Sequence, residues 1–236
     1  MKENKIFVSQ KEKAERFREL HHTGKMLILP NIWDPLGALL MENLEYRAVA
    51  TASASVAYSN GYNDGENIPF ADVLILLKKI TGSVSIPVTA DIENGYADND
   101  KHLQENIKLL INTGIAGINI EDSGNKKNDL NSIESQCNKI RLIRKIAVET
   151  GIPLFINART DVYVYEKNFP TAGARSEEII KRGLAYKEAG ADGFFPILIK
   201  QEEEIKEIIL ALPNTTSKWI ADSFSIIIFC ITSSES

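Results

Sequence analysis

The chain has 236 residues, of which 44% are hydrophobic and 25% are charged, a composition typical of globular proteins with one large core. Its formal net charge of −5 argues against nucleic acid or an anionic membrane as a main partner. The two cysteines, Cys137 and Cys230, are far apart and indicate free thiols in a reducing compartment. We expect a cytoplasmic protein, because the amino terminus is charged rather than apolar.

Apolar runs alternate with amphipathic segments along the first part of the chain. A charged helix is predicted over 11–22, and Gly24 ends it. The pattern then predicts a buried strand over 26–30, a helix that ends at Leu44, a strand over 47–53, a polar turn-rich segment over 58–65 and a helix over 70–80.

The next predicted strand ends in two acids. Val88-Thr89-Ala90 is a short β-prone run, Asp91 and Glu93 follow it, and Gly95 breaks the strand. An extended backbone points residues two apart to the same side, so the two carboxylates would lie together. Oxygen ligands of this kind suit Mg²⁺. A solvated acidic turn is the other interpretation of this pair.

The same pattern continues through the rest of the chain. It predicts helices over 102–113, 135–150 and 176–189, and strands over 117–122, 153–161 and 190–196. Strict alternation of strands and helices predicts an α/β fold with a parallel sheet, and a (β/α)8 barrel of the TIM-barrel type is the leading interpretation. A doubly wound open sheet is the alternative, but no G-x-G-x-x-G follows the first strand.

The predicted barrel is incomplete at its carboxyl end. We interpret 1–236 as a single barrel domain in which 214–236 forms an atypical tail. That tail could supply a seventh strand but has no room for a full eighth βα unit, so the last one or two units would be missing or altered. A truncated or frame-disrupted gene product is the other explanation of the tail.

The ends of the predicted strands carry side chains that would meet at one face of a barrel. They are Ser53, Asp91 with Glu93, Glu121 with Asp122, and Arg159 with Asp161. Clustered carboxylates repel one another, and a divalent cation relieves that repulsion. Arg159 could bind a carboxylate or phosphonate with two hydrogen bonds, or it could form an ion pair with Asp161 or Glu121.

Seven motifs together resemble the isocitrate lyase/phosphoenolpyruvate mutase superfamily, and most closely its phosphoenolpyruvate mutase-like branch. They are Asn31-x-Trp33-Asp34, Thr51-x-Ser53-Ala54, Asp64-Gly65, Asp91-x-Glu93-x-Gly95-Tyr96, Gly117-x-Asn119-Ile120-Glu121-Asp122, Asn157-Ala158-Arg159-Thr160-Asp161 and Ala189-Gly190-Ala191-Asp192-Gly193. The resemblance implies an Mg²⁺-dependent barrel enzyme. Such an enzyme makes or breaks a C–C or C–P bond next to a small 2-oxo acid, through a metal-stabilised pyruvate enolate.

The resemblance also implies the metal ligands and a closing cover. Asp91 would bind Mg²⁺ directly, whereas Glu93 and Glu121 would hold the water ligands of the ion. Asp64 and the loop around Lys127 would belong to a cover that closes over the substrate and excludes water.

The implied substrate site lies at the ends of two other strands. Ser53 and Ala54 would bind the substrate carboxylate through their backbone N–H groups, and Asn157 would belong to the same site. Arg159 would bind the transferred or leaving group. The candidate catalytic residues are therefore Arg159, Asp64, Lys127 and Glu121.

The loop over 123–129 departs from the family members that cleave isocitrate or methylisocitrate. Those proteins carry Lys-Lys-Cys-Gly-His in this loop, whereas the loop here contains neither Cys nor His. The resemblance thus favours a phosphonopyruvate- or oxaloacetate-like substrate and leaves rearrangement, hydrolysis and decarboxylation open.

Two rival functions come with this interpretation. The chain could be a catalytically inactive, truncated member of the same superfamily that serves as an interaction surface. An aldolase-like barrel would need a Schiff-base lysine at a strand end, and none of the six predicted strands ends in lysine. The expected partners are a small-molecule 2-oxo acid and, from the family, further copies of the chain, with neither nucleic acid nor a membrane.

Overall fold

The computed structural model describes residues 8–23, 27–123, 129–199 and 201–211. Within these residues, six strands form one parallel sheet and helices connect them. The strands are β1 (Asn31–Ile32), β2 (Val49–Thr51), β3 (Val88–Asp91), β4 (Gly117–Glu121), β5 (Phe155–Thr160) and β6 (Gly193–Pro196). The helices are α1 (Gln10–Leu20), α2 (Pro35–Asn43), α3 (Ser53–Ser59), α4 (Phe70–Ser83), α5 (Asp100–Ile111), α6 (Ile133–Thr150), α7 (Ala172–Glu188) and α8 (Glu202–Ala211), with a 3₁₀ turn at Glu166–Asn168.

The strands follow one another across the sheet in the order β1-β2-β3-β4-β5-β6, each parallel to the next. A doubly wound sheet reverses its strand order at a switch point, and the described sheet has no such reversal. Successive strands are instead added in one direction, as in a (β/α) barrel. The predicted parallel α/β sheet is confirmed over these six strands, and the doubly wound alternative is wrong.

Short polar side chains fix where the helices begin. Ser9 precedes α1 and forms a capping box with Glu12, while Asp34 precedes α2 and accepts a hydrogen bond from the Gly37 N–H at 2.6 Å. Asn99, Ser132 and Thr171 cap α5, α6 and α7 in the same way. Each cap satisfies an N–H group that has no partner inside its helix, so each loop ends at a defined residue.

The first strand lies later in the chain than the prediction of 26–30. Alternate side chains are buried over 27–29, so the predicted alternation is present, but the paired strand is Asn31–Ile32. Pro30 has no N–H and contributes only its carbonyl, which accepts from the Ala50 N–H at 3.1 Å. Regular strand pairing therefore begins after the proline, at Asn31.

A short helix replaces part of the predicted second strand and the turn-rich segment. The strand ends at Thr51, and Ser53–Ser59 forms α3. Ala52 occupies the cap position of α3 and makes no side-chain hydrogen bond there. Because α3 has only seven residues and no capping side chain, the local sequence carries no signal for it.

Helix α1 covers the amino-terminal ends of β4 and β5. The Phe17 ring meets the Phe155 ring edge-on, with centroids 5.3 Å apart. Gly117, the first residue of β4, lies under this contact, and a β-carbon there would come within 3.0 Å of Phe17, Phe155 and Thr89 atoms. A side chain at this position would have to displace the helix and both neighbouring strands, so the close packing favours glycine.

His21 completes the same contact as a neutral, buried ring. It stacks on Phe155 with centroids 4.2 Å apart, and its Nδ1 lies 2.8 Å from the Phe17 carbonyl oxygen. Burial lowers the pKa of His21 to about 4, and its Nε2 has no hydrogen-bond partner among the described residues. His21 therefore packs in the core between α1 and β5.

The described ranges contain no helix that is both long and apolar enough to cross a membrane. Lys127 and the tail over 214–236 lie outside the described residues. The roles that we predict for them stay predictions.

Candidate active site

Three charged residues from three neighbouring strands meet at the carboxyl edge of the sheet. Asp91 ends β3, Glu121 ends β4, and Arg159 stands opposite Glu121 on β5. The Arg159 Nη1 atom lies 3.1 Å from the Glu121 Oε2 atom and 3.9 Å from the Asp91 Oδ2 atom. The structure thus brings together three of the predicted site residues around one guanidinium group.

The orientation of Arg159 is fixed from its other side. Its Nε donates to the Asp161 Oδ1 atom at 2.7 Å and its Nη2 to the Asp161 Oδ2 atom at 3.2 Å. The Ser123 hydroxyl donates to Asp161 as well. Asp161 therefore holds one edge of the guanidinium and leaves Nη1 directed at Glu121 and Asp91, so Arg159 forms both ion pairs that the sequence left open.

Asp91 is largely buried, with its side chain 11% exposed, and is surrounded by donors from the ends of β2 and β3. The Ser53 hydroxyl donates to Oδ2 at 3.2 Å, and the Glu93 N–H donates to Oδ1 at 3.2 Å. Burial raises the pKa of Asp91, while the positive charge of Arg159 and the N–H groups of Glu93 and Ser53 lower it by smaller amounts. Its negative charge is only partly compensated by the protein.

Glu93 reaches this edge by a turn and not by extension of the strand. β3 ends at Asp91, and Glu93 has a left-handed backbone with φ of 51°, so the prediction of an extended D-x-E pair is wrong. The Glu93 carboxylate accepts from the Glu66 N–H at 2.7 Å and from the Tyr96 hydroxyl at 3.2 Å. Burial, with Asp64 and Asp91 nearby, raises the pKa of Glu93 to about 7.

These carboxylates suit a hard cation held partly through water. Burial raises the pKa of Glu121, Arg159 lowers it, and the charges of Asp161 and Asp91 raise it again. Among the described residues, no three His, Cys, Asp or Glu side chains are arranged to hold a metal ion directly. Mg²⁺ binds oxygen, uses one or two carboxylates and keeps several waters, so one direct ligand at Asp91 fits this donor set.

The remaining predicted site residues occupy different positions around this cluster. Ser53 and Ala54 lie in the first turn of α3, where backbone N–H groups have no partners inside the helix, although the Ser53 N–H already faces Asp91. Asn157 is buried on β5 and donates to the Asn119 Oδ1 atom at 2.9 Å. Asp64 is exposed in the loop after α3.

Asp122 does not belong to this cluster, and its grouping with the strand-end acids is wrong. Successive residues at a strand end point to opposite faces, so Glu121 faces the site and Asp122 faces the helix layer. Asp122 is fully buried and accepts hydrogen bonds from the Thr160 hydroxyl, the Tyr186 hydroxyl, Arg182 Nη1 and the Asp161 N–H at 2.7–2.9 Å.

The sequence interpretation missed Glu66 on the site side and Arg182 and Tyr186 on the helix side, and it included Tyr96 in a motif without giving it a role. The spacing of Arg182 and Tyr186, four apart in α7, is the signal that could have placed them on one buried face. For the contact of Glu66 with Tyr96 there was no such signal, because the two residues lie in irregular loops that meet only in the folded chain.

A sequential parallel sheet with acids and an arginine at its strand ends defines a barrel protein with an enzyme-type site. The chain belongs to the phosphoenolpyruvate phosphomutase family, whose model matches residues 17–222. This match confirms the resemblance to the isocitrate lyase/phosphoenolpyruvate mutase superfamily.

Individual relatives agree with this family. An uncharacterised protein of Mycobacterium tuberculosis strain H37Rv is 33% identical over 197 residues, which cover 84% of this chain and 70% of the relative. The 2,3-dimethylmalate lyase of Eubacterium barkeri is 30% identical over 213 residues, which cover 86% of this chain and 69% of the lyase.

Solved structures support the barrel-type fold. A crystal structure from Burkholderia cenocepacia J2315 has a TM-score of 0.79 at 35% identity and covers 86% of this chain and 81% of that one. A crystal structure of phosphonopyruvate hydrolase with oxalate and Mg²⁺ has a TM-score of 0.77 at 22% identity and covers 94% of this chain and 80% of that one. At 22% identity the second likeness concerns the fold alone.

Proposed function

We propose that the protein is an Mg²⁺-dependent lyase, mutase or hydrolase. It would make or cleave a C–C or C–P bond next to the carbonyl of a small 2-oxo acid that resembles phosphonopyruvate or oxaloacetate. The observation that carries this proposal is the convergence of Asp91, Glu121 and Arg159 at adjacent strand ends, where burial raises the pKa of both acids and nearby carboxylates raise that of Glu121 further. The 2,3-dimethylmalate lyase among the similar proteins supports the reaction class.

Asp91 would hold the ion directly, and Glu93 and Glu121 would hold its waters. When bound, Mg²⁺ would supply Lewis-acid stabilisation of the negative charge that develops on an enolate. Both Glu93 oxygens already accept hydrogen bonds from Glu66 and Tyr96, which favours a contact through water over direct ligation.

The protein's own groups would bind and orient the substrate. Arg159 offers Nη1 to an anionic group of the substrate, because Asp161 holds its Nε and Nη2. Such a group would replace Glu121 as the partner of Nη1. The Ser53 and Ala54 N–H groups, in the first turn of α3, would receive the substrate carboxylate, and Asp64 and Lys127 would belong to the cover that excludes water.

Asp91→Ala tests this function in an assay of pyruvate release from a panel of 2-oxo acids with Mg²⁺. We expect a loss of at least about 100-fold, since removal of one strong electrostatic stabiliser of a developing charge typically has that effect. Asp72→Ala, an exposed acid in the first turn of α4, is the control and should retain activity. Full metal-dependent turnover in Asp91→Ala would contradict the proposal.

A melting experiment distinguishes an active enzyme from an inactive member of the superfamily. A ligand that binds only the native state raises the melting temperature. Stabilisation by Mg²⁺ and oxalate together with turnover supports the enzyme. Stabilisation without turnover of any 2-oxo acid would favour the inactive alternative.

A further inference from the structure

Two loops that flank the candidate site are tied together by a closed set of hydrogen bonds. One loop connects α3 to α4 and carries Asp64 and Glu66, and the other connects β3 to α5 and carries Glu93 and Tyr96. The Glu66 N–H donates to Glu93 Oε2 at 2.7 Å, the Tyr96 N–H donates to Glu66 Oε1 at 2.6 Å, and the Tyr96 hydroxyl donates to Glu93 Oε1 at 3.2 Å. Each of the three residues thus contacts the other two.

Glu66, Glu93 and Tyr96 form a hydrogen-bonded triangle, and all three have unusual backbone torsion angles. Glu66, Glu93 and Tyr96 have φ values of 56°, 51° and 54°, in the left-handed region that side chains other than glycine rarely adopt. Strained positions of this kind persist only where surrounding contacts hold them, and they cluster at functional sites. The hydrogen bonds of the triangle supply such contacts.

The triangle is also fixed to the helix layer. The Asn106 amide donates to the carbonyl oxygen of Tyr96 at 2.6 Å, and the Lys139 ammonium donates to Asn94, next to Glu93. The negative charge of Glu66 raises the pKa of Lys139, while burial lowers it by more. Helices α5 and α6 therefore hold the Tyr96 side of the triangle, and Glu66 connects the Asp64 loop to it.

We infer that Glu66 is a positioning residue for the metal site, acting through Glu93 and not by contact with the ion. Its N–H donates to one Glu93 oxygen. Its carboxylate accepts from the Tyr96 N–H, and the Tyr96 hydroxyl donates to the other Glu93 oxygen. The inference rests on the proposed function, because it concerns the orientation in which the Glu93 carboxylate would bind the water ligands of Mg²⁺. Groups that orient a metal's ligands typically contribute about 10–100-fold to metal affinity or activity.

Glu66→Ala and Glu66→Gln form a matched pair for the test. Both keep a β-carbon at the left-handed position, so the backbone strain is the same in each. Only Gln retains a side-chain oxygen that can accept from the Tyr96 N–H. Tyr96→Phe removes the hydroxyl that contacts Glu93 but keeps the ring, which packs against Phe70 with centroids 5.2 Å apart.

Two readouts are needed: the Mg²⁺ concentration that gives half-maximal turnover, and the Mg²⁺ concentration that gives half of the thermal stabilisation without substrate. We expect Glu66→Ala to raise both by about 10–100-fold, Glu66→Gln to stay within about threefold of the unmodified protein, and Tyr96→Phe to fall between them. Asp72→Ala should change neither.

Two outcomes would overturn the inference. They are unchanged Mg²⁺ dependence in Glu66→Ala, whether or not its melting temperature falls, and an equal loss in Glu66→Ala and Glu66→Gln. Absence of turnover in the unmodified protein would instead count against the proposed function, and the thermal readout would still test the role of Glu66 in metal binding.

Discussion

Glu121 and Asp122 are neighbours in sequence but belong to two different charged clusters. Glu121 faces the site and shares the guanidinium of Arg159 with Asp91 and Asp161. Asp122 faces α7, where four donors of the protein surround its carboxylate, one of them Arg182. An acid with a full set of protein donors stabilises the fold, whereas an acid that shares one cation with two others is available to a ligand.

The largest effect on stability should come from the helix-side cluster. Asp122→Asn removes the charge that pairs with the buried Arg182 and should lower the free energy of unfolding by about 3–5 kcal/mol, the usual cost of breaking a buried ion pair. Urea unfolding measures this change. Glu178→Gln removes the more exposed partner of Arg182 and should cost less than about 1 kcal/mol. Equal losses of unfolding free energy in the two variants would contradict the prediction that the buried partner of Arg182 contributes more to stability than the exposed one.

His21, which belongs to neither cluster, should lower stability as the pH falls, whereas the carboxylates whose pKa is raised in the folded protein should lower it as the pH rises. The pKa of His21 is about 4 in the folded protein, below the ordinary 6.5, so the unfolded chain takes up the proton first as the pH falls. The contribution of this group to stability should be constant above pH 6.5 and should fall by about 3 kcal/mol between pH 6.5 and 4, at about 1.4 kcal/mol per pKa unit.

His21→Phe isolates that contribution. The variant keeps an aromatic ring against Phe155 but cannot take up a proton. The difference in free energy of unfolding between this variant and the unmodified protein, measured by urea titration, should be constant above pH 6.5 and should move by about 3 kcal/mol in favour of the variant between pH 6.5 and 4. A difference that does not vary with pH would contradict the lowered pKa of His21.

The smallest effect on stability should come from the site side. Glu121→Gln keeps an oxygen within reach of Arg159 Nη1 and removes one of several like charges, so the free energy of unfolding should change by less than about 1 kcal/mol. Turnover should nevertheless fall by at least about 10-fold, because a group that holds the metal's water is lost. A large loss of stability with retained turnover would contradict the assignment of Glu121 to the site and would indicate a structural role for it.

The sequence predicted the order of the elements, because strand and helix periods and the polar caps are local signals. It also placed Asp91, Glu121 and Arg159 at strand ends, and parallel pairing then required them to be neighbours. It misassigned Asp122, although the alternation of side chains along β4 already implied that Glu121 and Asp122 cannot face the same way.

Other features could not have been predicted from local pattern. The left-handed backbone of Glu93 depends on contacts with Glu66, 27 positions earlier in the chain. Helix α3 has neither a capping side chain nor the length that makes a helix recognisable. These features depend on tertiary contacts between loops, which no window of neighbouring residues contains.

The approach of α1 to β4 has a consequence for how freely the chain can vary. At Gly82, in α4, an added β-carbon would meet open space, so many residue types should be acceptable there. At Gly117 even a methyl group would press on three neighbours at once, Phe17 in α1, Thr89 in β3 and the backbone carbonyl of Phe155 in β5. A larger residue would have to displace all three together, so few residue types should be acceptable at this position although the glycine takes no part in chemistry.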